Sequence, residues 1–452
     1  MTISARLMSV VQRFARRRFV RDTLILQFGQ FAAIVAQGLT SILILRILGP
    51  ALVGQYALIT AMAAVLGLLD LSASGKVALV EVSKALGAND RDEVRDALAY
   101  LIRINVQLNG LLVVGFFVLA MPLAQISYNN AEVGLWARWL SLQQLTNLPF
   151  SVLTIAYQCQ RNMRTLVSLE SVRLLLTCAA SIGVLLTGWG IPGLVLSQVV
   201  ISCVYAIYSV VQYSRLAQAD SRFPAWSTLL GRAGSVGIRA RFGLGFRISA
   251  GKNLSSFATQ LPTLIIGALY PVATGNPTLG YYSTALKVMT LPQPLVSGIA
   301  RNLETFLPYR AGQSKQSLRD AFVKTTLYTG LIWSAATIGM AVISPVILLV
   351  IAGFDYLPAT SLLYPLLLQS LGVGLGVGVG PALRALNKLE YSIGINILML
   401  ALSTPIGYVL IANLAGYGGA WFYGLRFLAQ TVLEVLVTLW LLRPVKAPEQ
   451  AA

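Results

Sequence analysis

Apolar stretches of about twenty residues follow one another along this chain, with short polar segments between them. They fall at about 24–46, 53–75, 98–121, 136–157, 166–187, 190–213, 246–270, 280–307, 322–352, 360–383, 391–412 and 418–442. A helix rises ~1.5 Å per residue and about 20 residues cross a bilayer core of ~30 Å, so each stretch has the length of a membrane span. The pattern predicts an all-α polytopic membrane protein with about 12 transmembrane helices. The first stretch is longer than the apolar core of a secretory signal, and eleven more follow it, so it reads as a retained span.

The second six stretches repeat features of the first six at an offset of 226 residues, half the chain. Gly54 and Tyr56 answer to Gly280 and Tyr282, Gly193 to Gly419, and Lys84 to Arg310. Arg161 and Asn162 answer to Asn387 and Lys388, each pair lying between two apolar runs. Internal repeats of this kind are common in transporters and predict two pseudo-symmetric six-helix lobes. The expected organisation is a basic interfacial segment over 1–23, an N-terminal lobe over 24–213 and a basic cytoplasmic linker over 214–245. A C-terminal lobe over 246–443 and a cytoplasmic tail over 444–452 complete it. The Gly-x-Tyr copies open spans two and eight at the outer face, where a tight turn and an interfacial ring are expected.

Charge gives the orientation. With the N-terminus inside, 26 of the 34 Lys and Arg residues fall in inward-facing segments, and the short outer loops around 122–135, 188–190, 271–279, 353–359 and 413–417 hold none. That bias sets topology by the positive-inside rule, with both termini in the cytoplasm. Arg6, Arg13, Arg16, Arg17, Arg18 and Arg21, interleaved with Leu7, Val10, Val11, Phe14 and Phe19, suit an interfacial helix on an anionic leaflet.

Composition agrees with the spans: 56% of residues are hydrophobic, 11% are charged, and the mean hydropathy is +0.73. Almost nothing remains for a soluble domain. The net charge of +18 is dispersed over loops rather than gathered on one basic face, which argues against nucleic acid as a partner. Histidine is absent, and Cys159, Cys178 and Cys203 lack metal-like spacing, so no metal or other cofactor is expected.

Polar residues inside spans are the candidates for function, because a charge near a helix centre costs at least ~2.5 kcal/mol. Lys287 and Arg426 lie roughly 10–12 Å inward from the outer ends of spans eight and twelve. Lys287 and Arg301 are fourteen residues apart, close to four turns, and form a cationic strip broken by Pro292 and Pro294. Arg301 also stands three residues before Glu304, as Glu170 stands three before Arg173, so each pair has the spacing of a bridge on one helix. Arg103, Arg173 and Lys252 are near enough to the inner face to snorkel. Gln27, Gln30 and Gln37 share a stripe of span one, and Gln143, Gln144 and Asn147 lie near the middle of span four. Such amides serve equally as interhelical glue and as a sugar-binding wall. Glycines at 372, 374, 376, 378 and 380 carry the small-residue packing pattern, with a hinge before Pro381 as the other reading.

The order Arg46, Leu48, Gly49, Pro50, Gly54, Tyr56 resembles the oligosaccharide flippases of the multidrug/oligosaccharidyl-lipid/polysaccharide exporter superfamily, which move O-antigen and exopolysaccharide repeat units. The resemblance runs nearly end to end. Asp70-Leu71 is similar to that family's Asp-Leu-Gly, and Gly280, Tyr282 and Ala285 to its opening of span eight. Ala385 to Lys388 resembles its loop after span ten, and Gly416 to Ala420 its opening of span twelve. Ser72 departs from the usual glycine, and Thr263 stands where an acid is often found, which weakens family-style ion coupling at that position.

The resemblance implies alternating access by two lobes about a cavity that takes the sugars of a polyprenyl-diphosphate-linked oligosaccharide while its lipid tail stays in the bilayer. It implies residence in a bacterial inner membrane, with a polysaccharide polymerase and chain-length machinery as partners. The substrate-binding expectation is Lys287, Arg301, Lys252, Arg426, Gln30, Gln37, Gln144 and Asn147, with Asp70 as the ion-coupling candidate. No phosphate-binding loop is present, and the expected protein is not an enzyme. A cation-coupled drug antiporter of the same superfamily is the nearest rival, but it calls for an acid at a dry span centre, and Asp70 lies near the inner face. A membrane enzyme on lipid-linked sugars would need a catalytic outer loop, where Glu132 and Asp355 are the only obvious acids. A lipid II flippase would need an extra pair of helices that the twelve runs do not supply.

Overall fold

A computed structural model describes residues 18–443 apart from 161, 271–276, 291–298, 301, 302, 304, 305, 308, 309, 312 and 387. For 18–34, 163, 240, 244, 247, 248 and 252 it describes the backbone alone. No strand occurs among the described residues, and the twelve apolar runs fall on helices, the run at 280–307 being described chiefly over 280–290. Among the described residues, seven helices are individually long and apolar enough to cross a membrane. The chain is an all-α, multi-pass membrane protein.

Seven helices carry most of the runs because two of the longest are pairs. α1 (Arg18–Leu68) has 51 residues, broken at Gly49 with φ 70° and ψ 172°. A helix of that length left straight would be about 75 Å long, far more than a bilayer core. Pro50 follows, and glycine takes this φ without a Cβ clash. Next come α2 (Ser74–Ala88), α3 (Arg91–Ile104), a π-helical turn at Asn105–Asn109 and α4 (Gly110–Tyr128). The run at 136–157 is split between α5 (Ala131–Ser141) and α6 (Gln143–Cys159). α7 (Met163–Leu186) and α8 (Gly190–Ala219) follow, then the short α9 (Trp226–Ala233), α10 (Arg239–Leu269) and α11 (Pro277–Thr290). The last are α12 (Lys315–Ala352), α13 (Thr360–Gly376), α14 (Val379–Ala385) and α15 (Leu389–Leu441), whose 53 residues are broken at Ala415 with φ 50°.

The described residues form two compact units. One takes in the chain up to Ile47, Leu69–Pro122 and Gly134–Ser249; the other takes in Leu48–Leu68, Leu123–Val133 and the chain from Ala250 onward. In the first unit, Asp90 caps α3 by accepting from the Glu93 amide at 3.0 Å, and Val82, Leu98, Leu101, Leu153 and Tyr213 meet in a buried core. The basic segment after α8 packs on this unit. Arg232 Nε donates to Asp96 at 2.8 Å, and Arg241 donates to Glu81 and Glu93, each at 2.6 Å. Tyr213 Oη donates to the Pro224 carbonyl at 3.0 Å, so the acids of α2 and α3 meet a positive segment that is also held by its backbone.

In the second unit, α13 uses its glycines for packing. A Cβ on Gly372 would lie 2.8 Å from the Phe427 ring, and one on Gly376 would lie 3.0 Å from Thr431 Cγ2 of α15. A Cβ on Gly374 would collide with Trp333 of α12. Alternate glycines thus admit a helix on each side, the close approach expected of small residues.

Tyr282 differs from the interfacial ring expected for it. It is 0% exposed, and its hydroxyl makes no hydrogen bond among the described residues. Gly280 explains the burial: a Cβ there would strike the backbone carbonyl of Pro50, so the two chain segments touch directly. Since backbone cannot yield as a side chain can, Gly280→Val is expected to destabilise the protein by about 1–3 kcal/mol, read as a lower unfolding temperature in detergent. An unchanged midpoint would refute that close approach.

Candidate translocation site

Each unit holds an arginine within a span, supported by amides rather than by a carboxylate. In the first unit, α6 presents Asn147 and, one turn on, Phe150, while α7 presents Arg173 and α8 presents Ser202 and Tyr205. Arg173 Nη2 donates to Asn147 Oδ1. The same oxygen accepts from Ser202 Oγ at 3.3 Å, and the Ser202 and Thr146 hydroxyls are 2.6 Å apart. The guanidinium carbon lies 4.5 Å from the Phe150 ring centre and 5.9 Å from that of Tyr205. Aromatic faces and an amide oxygen partly compensate a cation and leave other guanidinium edges open. The bridge expected from Glu170 to Arg173 does not form: no carboxylate contacts Arg173 among the described residues. The partner comes from a neighbouring helix, which the spacing along one helix could not reveal.

In the second unit, Arg426 is 5% exposed, and its Nε has no partner among the described residues. Its Nη2 donates to Gln430 Oε1 at 3.3 Å. Gln430 Nε2 donates in turn to Asn396 Oδ1 at 3.0 Å and to Glu434 Oε1 at 3.3 Å. Ser392 Oγ and Asn396 Nδ2 also reach Glu434 Oε1, at 3.0 and 3.4 Å. Arg426, Gln430 and Glu434 follow one another at steps of four, so one face of the second half of α15 carries a cation, an amide and an anion in series. Lys287, on α11, is half-buried, and its amine has no partner among the described residues.

The remaining expectations sort by position. Gln144 and Asn147 lie in the first unit and Lys287 and Arg426 in the second. Gln144 is half-buried, and its amide makes no hydrogen bond among the described residues. Gln37 is exposed. The side chains of Gln30 and Lys252, and Arg301 with its neighbour Glu304, lie outside what is described. Asp70 belongs to the first unit, beside Asn109 and Ser72.

Arg173, Ser392, Asn396 and Gln430 join the candidates only through the structure. A further signal was present in the sequence of α10, where Asn253, Ser256, Gln260 and Thr263 recur at helical spacing. Asn253 Nδ2 donates to the Leu68 carbonyl at 2.9 Å, and Thr259 Oγ1 donates to the Ser255 carbonyl at 3.1 Å.

A family described as polysaccharide biosynthesis protein matches residues 43–361. Comparison with curated proteins gave no match. Among solved structures, the chain is similar to an inward-facing multidrug resistance MATE family transporter of the MOP superfamily, with a TM-score of 0.69 and 13% identity, over 92% of this chain and 96% of that one. It is similar to the lipid II flippase MurJ in an inward closed conformation, with a TM-score of 0.69 and 12% identity, over 92% and 87% of the two chains. A MOP superfamily transporter from Pyrococcus furiosus Vc1, described as having a binding pocket of reverse polarity, gives a TM-score of 0.61 and 15% identity, over 94% and 95%. At these identities the likeness concerns the fold. The match over residues 43–361 carries the family: the chain belongs to the polysaccharide biosynthesis protein family and has the fold of the MOP-superfamily transporters.

Proposed function

We propose that this protein flips a polyprenyl-diphosphate-linked oligosaccharide across a bacterial inner membrane by alternating access, with both termini in the cytoplasm. Lys287 and Arg426 receive the diphosphate, while Gln144 and Asn147, with Gln30 and Gln37 of span one, hydrogen-bond the sugars. Arg301 and Lys252 extend the cationic path. A polysaccharide polymerase and its chain-length machinery then consume the flipped units. The observation that supports this reading most is the presence, inside spans, of Lys287 and Arg426 without a carboxylate in direct contact among the described residues. An ionised group held there at a cost suits an anionic ligand that completes its pairing.

The test is flipping in proteoliposomes of two fluorescent lipid-linked oligosaccharides, one on a diphosphate and one on an uncharged linker. The diphosphate form is expected to flip and the uncharged form to lag. Lys287→Ala is expected to slow the diphosphate form about tenfold and Lys287→Arg to restore it, as one charge-assisted contact would. Equal rates for the two lipids would overturn the proposal.

A further inference from the structure

Arg173 is an open cation where Arg426 is a closed one. Arg426 is buried with its Nε enclosed. Arg173 is half-buried and keeps Nε and Nη1 at an accessible surface, without a hydrogen bond among the described residues. A guanidinium carries a fork of N–H donors and no acceptor, so its one bond, from Nη2 to Asn147 Oδ1, leaves most of the fork free. That bond also fixes the neighbouring amide. Arginine can only donate, so the Asn147 atom facing it must be the oxygen, and Ser202 Oγ donates to the same oxygen at 3.3 Å. Asn147 Nδ2 is thereby turned away, neither hydrogen-bonded nor enclosed among the described residues.

Phe150 and Tyr205 take up the neighbourhood of the guanidinium, their ring centres 4.5 and 5.9 Å from its carbon, so a ligand meets the fork along its free edge. The unused groups there, the fork and Asn147 Nδ2, are all donors. A carboxylate matches such a set, because it accepts at two oxygens lying in the plane of the fork. A neutral sugar offers hydroxyls, which donate as well as accept, and leaves the cation without a counter-charge. Glu170 does not supply that charge. It stands three residues before Arg173 and is exposed, and no ion pair joins the two among the described residues.

We infer that Arg173 selects for acidic sugars: the transported oligosaccharide carries a carboxylate, as a hexuronic acid does, and Arg173 with Asn147 Nδ2 receives it. This selectivity rests on the flippase reading above, in which Asn147 already meets the sugars, and it leaves the diphosphate to Lys287 and Arg426.

The test is flipping by the full-length chain, in proteoliposomes, of two polyprenyl-diphosphate disaccharides that differ at one sugar, glucose in one and glucuronic acid in the other. At low lipid content, where rate follows affinity, the acidic lipid is expected to flip about tenfold faster, the worth of one charge-assisted contact. Arg173→Gln is expected to bring that ratio to about one, and Arg173→Lys, which keeps the charge without the fork, to restore part of it. Glu170→Gln, which removes a neighbouring negative charge, should keep or raise the ratio. Equal rates for the two lipids in the parent would overturn the acidic selectivity and leave the flippase reading standing. That outcome needs no variant, so a folding defect in Arg173→Gln cannot mask it. A folded Arg173→Gln that slows both lipids in equal proportion would put Arg173 on the diphosphate or in the scaffold, and overturn the selectivity too. So would a ratio that falls in Glu170→Gln, which would make the two residues one bridge. Movement of neither lipid would overturn the flippase reading, and the selectivity with it.

Discussion

Arg426→Leu is expected to stop transport of the diphosphate lipid almost completely while leaving the protein about as stable as before. The two effects come from different terms. Truncating one member of a buried charge contact costs about 2–5 kcal/mol of binding, so flipping should fall on the order of a hundredfold or more. Stability answers to the protein alone. Removing a charge from within a span relieves about 2.5–3.5 kcal/mol of burial cost. Against that stand the lost bond to Gln430 Oε1, the orphaning of that oxygen and the loss of the charge that compensates Glu434 through Gln430, together about 2–4 kcal/mol. The net change should lie within about 1.5 kcal/mol of zero. The check pairs the proteoliposome assay with the unfolding midpoint of the same preparation. Transport at the parent rate would remove Arg426 from the site, and a large drop in midpoint would recast it as a structural residue.

The contrast between these terms bears on what could be read from the chain before its fold was in hand. Span lengths are one-dimensional facts, so the apolar runs gave the helices. Even the joints at Gly49 and Ala415 follow from having two spans' worth of helix and a bilayer of fixed thickness. Intramembrane charges were visible for the same reason, since an Arg or Lys amid apolar neighbours stands out. Partners were not visible. Arg173 looked complete with Glu170 three residues before it, yet its contacts come from α6 and α8. Asn396 and Gln430 sit in apolar surroundings as single amides, and only their meeting across the two halves of α15 makes a network with Glu434. Tyr282 misled for a related reason. Tyrosine is common at membrane interfaces, but the contact of Gly280 with Pro50 draws this one into the core.

Glu434→Leu, the counterpart of the arginine substitution, should have the opposite profile and the largest effect on stability. Glu434 Oε1 accepts from Ser392, Gln430 and Asn396. Its loss leaves the Ser392 hydroxyl without its carboxylate acceptor, while the two amides keep one bond each, to Asn396 Oδ1 and to the Ser392 carbonyl. It also removes the anion that stands one amide away from Arg426, leaving a buried cation with no compensating charge on that face of α15. Breaking a buried charge arrangement by deleting one side costs about 3–5 kcal/mol when the groups touch, and the bridge through Gln430 brings the expected figure to about 2–4 kcal/mol. Glu434→Gln, which keeps an acceptor in place, should cost less than half of that. The double variant Arg426→Leu with Glu434→Leu separates the causes, since a cycle isolates the coupling of two residues in one network. If the penalty is uncompensated charge, the double variant unfolds at a higher temperature than Glu434→Leu alone. If it is lost hydrogen bonding at Ser392, the second substitution brings no recovery, and the charge-in-series reading of α15 fails.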